Sequence, residues 1–124
     1  MTTKSELIRN CFAAYRDRDR TVLEHAFAED FTFTSPYDDH IDRATYFERC
    51  WPNSQQISRF DFVNVLPDGD KVFATYEGTN VGGGRFRNTE ILTVRQQKIV
   101  EAEVYFGWSI PHPAPEGGFS SSDA

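Results

Sequence analysis

The chain has 124 residues, a net charge of −6 at neutral pH and 15% aromatic residues, among them eleven Phe, five Tyr and two Trp. That length suits one domain with its own core, and the aromatic share suits either a core or a pocket lining. The acidic balance argues against nucleic acid as a partner, and no apolar run reaches the length that spans a membrane.

Residues 1–10, MTTKSELIRN, carry no apolar signal core, and Cys11 and Cys50 stand apart without metal-ligand spacing. The expectation is a cytoplasmic domain with reduced thiols. Thr3-Lys4-Ser5-Glu6 reads as a capping box opening a helix on which Leu7, Ile8, Cys11, Phe12 and Tyr15 recur at helical spacing. The polar run RDRDR at 16–20 ends it. Thr21-Val22-Leu23-Glu24 repeats the capping pattern and predicts a second, short helix carrying Val22, Leu23, Ala26 and Phe27.

Phe31 to Ser35 alternates as a strand, with Phe31, Phe33 and Ser35 on one face, and Pro36 stops it. Tyr37-Asp38-Asp39-His40 reads as a polar loop. Asp42 can cap a third helix with Tyr46, Phe47, Cys50 and Trp51 on one stripe, closed by Pro52. Four strands follow: Ile57 to Leu66, Lys71 to Val81, Arg85 to Arg95 and Ile99 to Ser109, with turn residues at Pro67-Asp68-Gly69-Asp70 and Gly82-Gly83-Gly84. The glycine triplet lacks the Lys-Ser/Thr and the following helix of a phosphate loop. Helices first and a meander after predict an α+β layer, with N-terminal helices packed on a curved antiparallel sheet. The domain is expected to span residues 1–110. The Pro-, Gly- and Ser-rich segment 111–124 is expected to form a flexible tail, and whether it covers a pocket is left open.

The last two strands are the most informative. Phe86, Asn88, Glu90, Leu92 and Val94 share one face of the first, and Val100, Ala102, Val104, Phe106 and Trp108 share one face of the second. Pairing about Gln97 sets Val94 against Val100, Leu92 against Ala102, Glu90 against Val104 and Asn88 against Phe106. Both apolar faces then lie on one side, and a slip by one residue would separate them. The pairing implies a three-residue turn. Glu90 is thereby aimed into an apolar face. A carboxyl group so placed is raised in pKa or finds a partner, and a raised carboxyl can serve as a general acid or hydrogen-bond donor. Arg87 stands on the opposite face.

The order helix, helix, short strand ending in Pro, helix and four strands resembles the nuclear transport factor 2-like superfamily, in its SnoaL-like and ketosteroid-isomerase-like branch. The segments NCFAAYRDRDRTVLEHAFAEDFTFTSP at 10–36 and KIVEAEVYFGW at 98–108 carry the resemblance, which covers about residues 5–110. It implies a cone-shaped α+β barrel with an internal pocket and a homodimer formed through the outer sheet face; no cofactor is expected. The isomerase branch uses a base Asp before a Pro, a helical Tyr donor and a protonated Asp donor. Those positions fall on Ser35, Cys11 and Glu90, with Tyr15 one turn beyond Cys11. A serine hydroxyl cannot replace a carboxylate base near neutral pH, so steroid isomerisation is not expected. Phe106-Gly107-Trp108 stands where some cyclases hold an Asp.

Tyr15, Phe33, Trp51, Tyr76, Val104, Phe106 and Trp108 are candidates to line the pocket, together with Cys11, Ser35 and Asn88. Val72, Ala74 and Tyr76, or Phe73, Thr75 and Glu77, could form the inward face of their strand. Asp38, Asp39, His40 and Asp42 have metal-ligand side chains but no fixed spacing, and a solvated loop and a helix cap account for them; no metal is expected. His25 and His112 read as surface residues, and Cys11 as an inert thiol. Two functions remain open. One is an enzyme working on a small apolar or aromatic molecule by acid–base chemistry, as isomerase, cyclase or hydrolase, with Glu90 as the acid. The other is a non-catalytic domain binding a ligand or a protein.

Overall fold

The computed structural model describes residues 2–114 and 116. Helix α1 (Lys4–Asp17) opens on the Thr3 capping box: the Glu6 amide donates to Thr3 Oγ1 at 3.1 Å, and the Glu6 carboxylate accepts from the Thr3 amide. It ends where Arg18 turns left-handed at φ 59°. Helix α2 (Arg20–Ala26) follows at once. Its cap position is Asp19, so the second capping pattern at Thr21 is not used and Thr21 lies inside the helix. Phe27 belongs to strand β1 (Phe27–Ser35), which starts four residues earlier than alternation predicts because its first half pairs only at Phe27.

The expected loop at 37–40 is instead part of a short strand, β2 (Asp38–Asp42), turned back on β1 through Pro36 and Tyr37. It is polar because it is an edge strand held by backbone pairing, and so it shows no hydrophobic period. Asp42 caps α3 (Arg43–Arg49), accepting from the Thr45 amide at 2.9 Å. The α-helix then tightens into a 3₁₀ turn (Trp51–Gln56) with Pro52 near its start. Strands β3 (Ile57–Asp68), β4 (Lys71–Asn80), β5 (Arg85–Arg95) and β6 (Lys98–Ile110) complete the chain.

The six strands run in the order β2-β1-β6-β5-β4-β3 as one curved, open sheet. The sheet is not wholly antiparallel, since β1 and β6 are parallel. Two sequentially distant strands meet there, and α3 and the β3–β5 meander supply the long crossover that a parallel pair requires. The chain therefore has the α+β cone with N-terminal helices on a curved sheet, with free edges at β2 and β3.

In the β5–β6 hairpin Asn88 opposes Phe106, Glu90 opposes Val104 and Leu92 opposes Ala102. Two bulges break the rest of the expected register. The turn has two residues rather than three, Gln96 and Gln97, at φ 52° and 63°. That leaves Val100 as an extra residue, so Ile99 rather than Val100 faces Val94 and is fully buried. Further along, Phe86 opposes Ser109, so three residues of β6 match two of β5. The bulge carries Trp108 to the outer side, where it is 48% exposed and meets the His112 ring edge-on at 4.8 Å. Gly107 makes this bulge feasible, because a Cβ there would lie 2.3 Å from the Arg87 carbonyl oxygen.

On β4 the inward set is Val72, Ala74 and Tyr76, all buried. Phe12 on α1 packs edge-on against Phe60, Phe62 and Tyr76, with centroids 4.8–5.1 Å apart. Phe27 stacks on Phe31 at 4.1 Å beneath Tyr46 of α3. Full burial of such a ring is worth about 1.5–3 kcal/mol, so these two clusters fix the helices on the concave face. No helix among the described residues is long and apolar enough to cross a membrane. Of the expected tail, residues 111–114 have no regular structure, and Pro115 and residues 117–124 lie outside the described residues.

Candidate functional site

The helices leave a cavity of about 440 Å³ against the concave face of the sheet. That is within the range of small-ligand sites. Its walls are mainly apolar, built from Phe12 and Tyr15 on α1, Phe31 and Phe33 on β1, Tyr46 on α3 and Phe60 on β3. Cys11, Val104 and Phe106 also border it. The polar groups gather at two places.

The first is Glu90. It lies between Ala74 on β4 and Val104 on β6, neither of which offers a polar side chain. Tyr76, diagonal to it on β4, donates a 2.6 Å hydrogen bond to Glu90 Oε2, and Asn88 Nδ2 donates to the Tyr76 oxygen at 3.5 Å. Glu90 keeps partial accessibility because it faces the cavity. Burial nonetheless raises its carboxyl from 4.5 to about 7, and the Tyr76 hydrogen bond holds it from rising further. The same burial, reinforced by the Glu90 charge, drives the Tyr76 phenol well above its ordinary value. Arg87 turns to the outer face, where it and Arg85 pair with Glu77 at 2.7 and 2.8 Å.

The second polar place is where β1 and β2 meet in the cavity wall. The turn at Pro36 and Tyr37 sets Ser35 opposite Asp38. Ser35 Oγ donates to Asp38 Oδ2 at 2.8 Å and accepts from the Tyr37 amide at 3.0 Å. Arg49 Nη2 on α3 stands 2.8 Å from Asp38 Oδ1. The Asp38 side chain is only 8% exposed, and Oδ1 receives no well-directed hydrogen bond from any described residue. Sequence reasoning gave Asp38 no ligand role. The signal that was available is a Ser and an Asp three residues apart around a Pro turn, which brings their side chains together only if the turn closes a hairpin.

Cys11, Tyr15, Phe33, Ser35, Tyr76, Asn88, Glu90, Val104 and Phe106 thus border one cavity. Trp51 and Trp108, expected among the lining residues, are not in its wall. Trp51 packs edge-on against Tyr15 at 5.6 Å, behind the wall, and the β6 bulge turns Trp108 outward. Tyr15 gives its hydroxyl to the Cys50 carbonyl at 2.8 Å, so it contributes a ring and not a free donor. Burial pushes the Cys11 thiol up to about 12, where it is no nucleophile at neutral pH. Burial, with the Asp38 charge beside it, raises Cys50 to about 11. The acidic cluster after Pro36 does not converge: Asp38 turns to Ser35 and Arg49, Asp39 pairs with His40 at 2.6 Å, and Asp42 caps α3. Among the described residues no three His, Cys, Asp or Glu side chains are grouped to hold a metal ion.

The fold has solved relatives. An epoxide hydrolase of the LEH-like type from M. tuberculosis superposes with a TM-score of 0.69 at 13% identity, over 82% of this chain and 80% of that one. A protein assigned as a polyketide cyclase from Sinorhizobium meliloti gives 0.65 at 19%, over 79% and 92%. A nuclear transport factor 2-like protein from Cytophaga hutchinsonii gives 0.67 at 19%, over 86% and 92%. At such identities the likeness speaks for the fold alone. Among curated proteins none matches this chain. The SnoaL-like domain model matches residues 8–102, from α1 to the middle of β6, and the chain therefore belongs to the SnoaL-like family.

Proposed function

We propose that the chain is an acid–base catalyst acting on a small, largely apolar molecule that presents a carbonyl or epoxide oxygen to Glu90. The supporting observation is a carboxyl group that opens into an apolar cavity and is raised to about 7 by burial. Such a group is a hydrogen-bond donor when protonated, and it is poised to pass its proton near neutral pH. Tyr76 occupies Oε2 and leaves Oε1 for the substrate oxygen, while Asn88 steadies the Tyr76 hydroxyl. Proton donation to an oxygen serves isomerisation, cyclisation and epoxide opening alike, without oxidation or reduction and without a cofactor. The cyclase and hydrolase among the structural neighbours use the same fold.

The test uses acetylnaphthalene, an apolar ketone, as the probe. Its binding is expected to weaken several-fold as pH rises through about 7, because the donor proton is lost. Glu90→Gln should bind it without that pH dependence. Wild-type binding that is indifferent to pH overturns the reading.

A non-catalytic ligand-binding domain is the second reading. It is favoured by Ser35 standing where the isomerase branch holds its base. It predicts the same binding and no turnover. Assembly as a homodimer through the outer sheet face is part of either reading. Tyr105 is exposed there, and the helices do not cover that face. Sedimentation as a monomer at all concentrations would exclude it.

A further inference from the structure

The part of the cavity wall formed by β1, β2 and α3 has a geometry that Glu90 does not explain. Asp38 is a charged side chain only 8% exposed, hydrogen-bonded on one oxygen and ion-paired without a directed hydrogen bond on the other. Oδ2 accepts from Ser35 Oγ at 2.8 Å, with the Cys50 sulfur 4.0 Å away. Oδ1 has Arg49 Nη2 at 2.8 Å, at an angle that does not make a hydrogen bond. A buried carboxylate oxygen that is ion-paired but receives no directed hydrogen bond gains when a well-placed donor arrives. Asp38, Ser35 and Arg49 all border the same cavity as Glu90.

We propose that Asp38 and Arg49 form a recognition site for a neutral hydroxyl group on the ligand, in the cavity wall three strands across the sheet from Glu90. The inference rests on the pocket reading above and names the ligand class: a compact apolar molecule with an acceptor oxygen at one end and a hydroxyl at the other. A hydroxyl both donates and accepts, so it can give its proton to Asp38 Oδ1 while accepting from the Arg49 guanidinium. An ammonium group would satisfy the carboxylate but would meet the Arg49 charge, and a carboxylate would meet the Asp38 charge. Arg49 covers Oδ1, yet its side chain is 51% exposed, and its hydrogen bond to the Tyr37 carbonyl is 3.4 Å long. It can yield by the width of a hydroxyl. Tyr37 and Phe106, with ring centroids 5.5 Å apart, border the same cavity and suit an aromatic carrier for the hydroxyl.

The experiment compares acetylnaphthalene with an acetylnaphthol whose hydroxyl and acetyl groups sit on opposite rings, by calorimetric titration of the intact protein. The wild type is expected to bind the naphthol about tenfold more tightly, as a hydrogen bond to a charged group allows. Asp38→Ala should bring the ratio close to one, and Asp38→Asn, which keeps an acceptor, should restore part of it. The ratio is the readout, because structural damage lowers both affinities together. Equal binding of the two compounds by the wild type overturns this inference and leaves the Glu90 reading standing. A preference that survives in Asp38→Ala also overturns it. Failure of both compounds to bind removes the pocket reading and this inference with it. The wild-type comparison needs no variant, so a poorly folding Asp38→Ala does not rescue the proposal.

Discussion

Tyr76 and Glu90 meet diagonally across β4 and β5, with the phenol oxygen 2.6 Å from the carboxyl oxygen. Tyr76 faces Asn88 directly in the ladder, and Glu90 is two residues further along on the same side of β5. The pair works because both side chains are on the concave face, where β5 alternation puts every second residue. The phenol limits how far burial can lift the carboxyl and fixes which oxygen stays free.

The Glu90 titration should be visible in stability. Its folded value, about 7, lies above its ordinary 4.5. The folded state therefore holds the proton more tightly than the unfolded chain. The stabilisation is complete below 4.5 and is lost as pH rises through about 7. The loss is on the order of 3 kcal/mol relative to a chain without this group. Urea unfolding of wild type and Glu90→Gln across that window should show the wild type losing ground to the variant as pH rises. Parallel curves would show that Glu90 titrates as an ordinary carboxylate.

Removing the phenol hydroxyl acts in a known direction. The Tyr76 hydrogen bond pulls the Glu90 carboxyl down. Tyr76→Phe should raise the Glu90 midpoint further, as followed by carbon NMR of the labelled carboxyl. The stability cost should be about 1 kcal/mol while Glu90 is neutral, and about 1.5–3 kcal/mol at a pH where it is charged. A midpoint that stays put or falls would refute the assigned donor.

Gly107 is set by sterics. A methyl group there would stand 2.3 Å from the Arg87 carbonyl oxygen, and the obstacle is backbone in the neighbouring strand. Gly107→Ala should cost about 1–3 kcal/mol and disturb the β5–β6 bulge. Chemical denaturation gives the cost, and amide exchange at Arg87 and Trp108 locates it. An unchanged stability would mean that the strands do not approach as closely as described.

Phe12 anchors α1 to the sheet through edge contacts with Phe60, Phe62 and Tyr76. Phe12→Ala should destabilise by about 3–5 kcal/mol. It should also loosen the Tyr76–Glu90 pair, so the Glu90 midpoint should shift along with stability. A loss below about 1 kcal/mol would place α1's anchor elsewhere.

Much of this was legible in the sequence because it depends on near neighbours along the chain. The Thr3 capping box, the Asp42 cap and the apolar stripe of α1 are contacts within one turn. The inward aim of Glu90 followed from period-two alternation, with the β5–β6 pairing chosen to bring two apolar faces together. The family resemblance rested on the same ordered elements. Alternation fails wherever a strand takes an extra residue. The bulge at Val100 exchanged it for Ile99 in the core, and the bulge at Gly107 turned Trp108 to the outside. Neither bulge has a period of its own to read, since each arises from how two strands fit side by side.

By itself, then, the sequence determined the helices, the strand-rich second half and one carboxyl group facing an apolar surface, all of which follow from local spacing and the cost of exposing apolar side chains. Only the tertiary structure decided that β1 lies parallel to β6, that β2 exists, and that Asp38 meets Ser35 and Arg49 in the wall of the Glu90 cavity. Those features depend on strands and helices distant in sequence coming together. An edge strand of polar residues and an ion pair between a turn and a helix leave no periodic trace, because backbone pairing and charge, rather than burial of an apolar face, hold them in place.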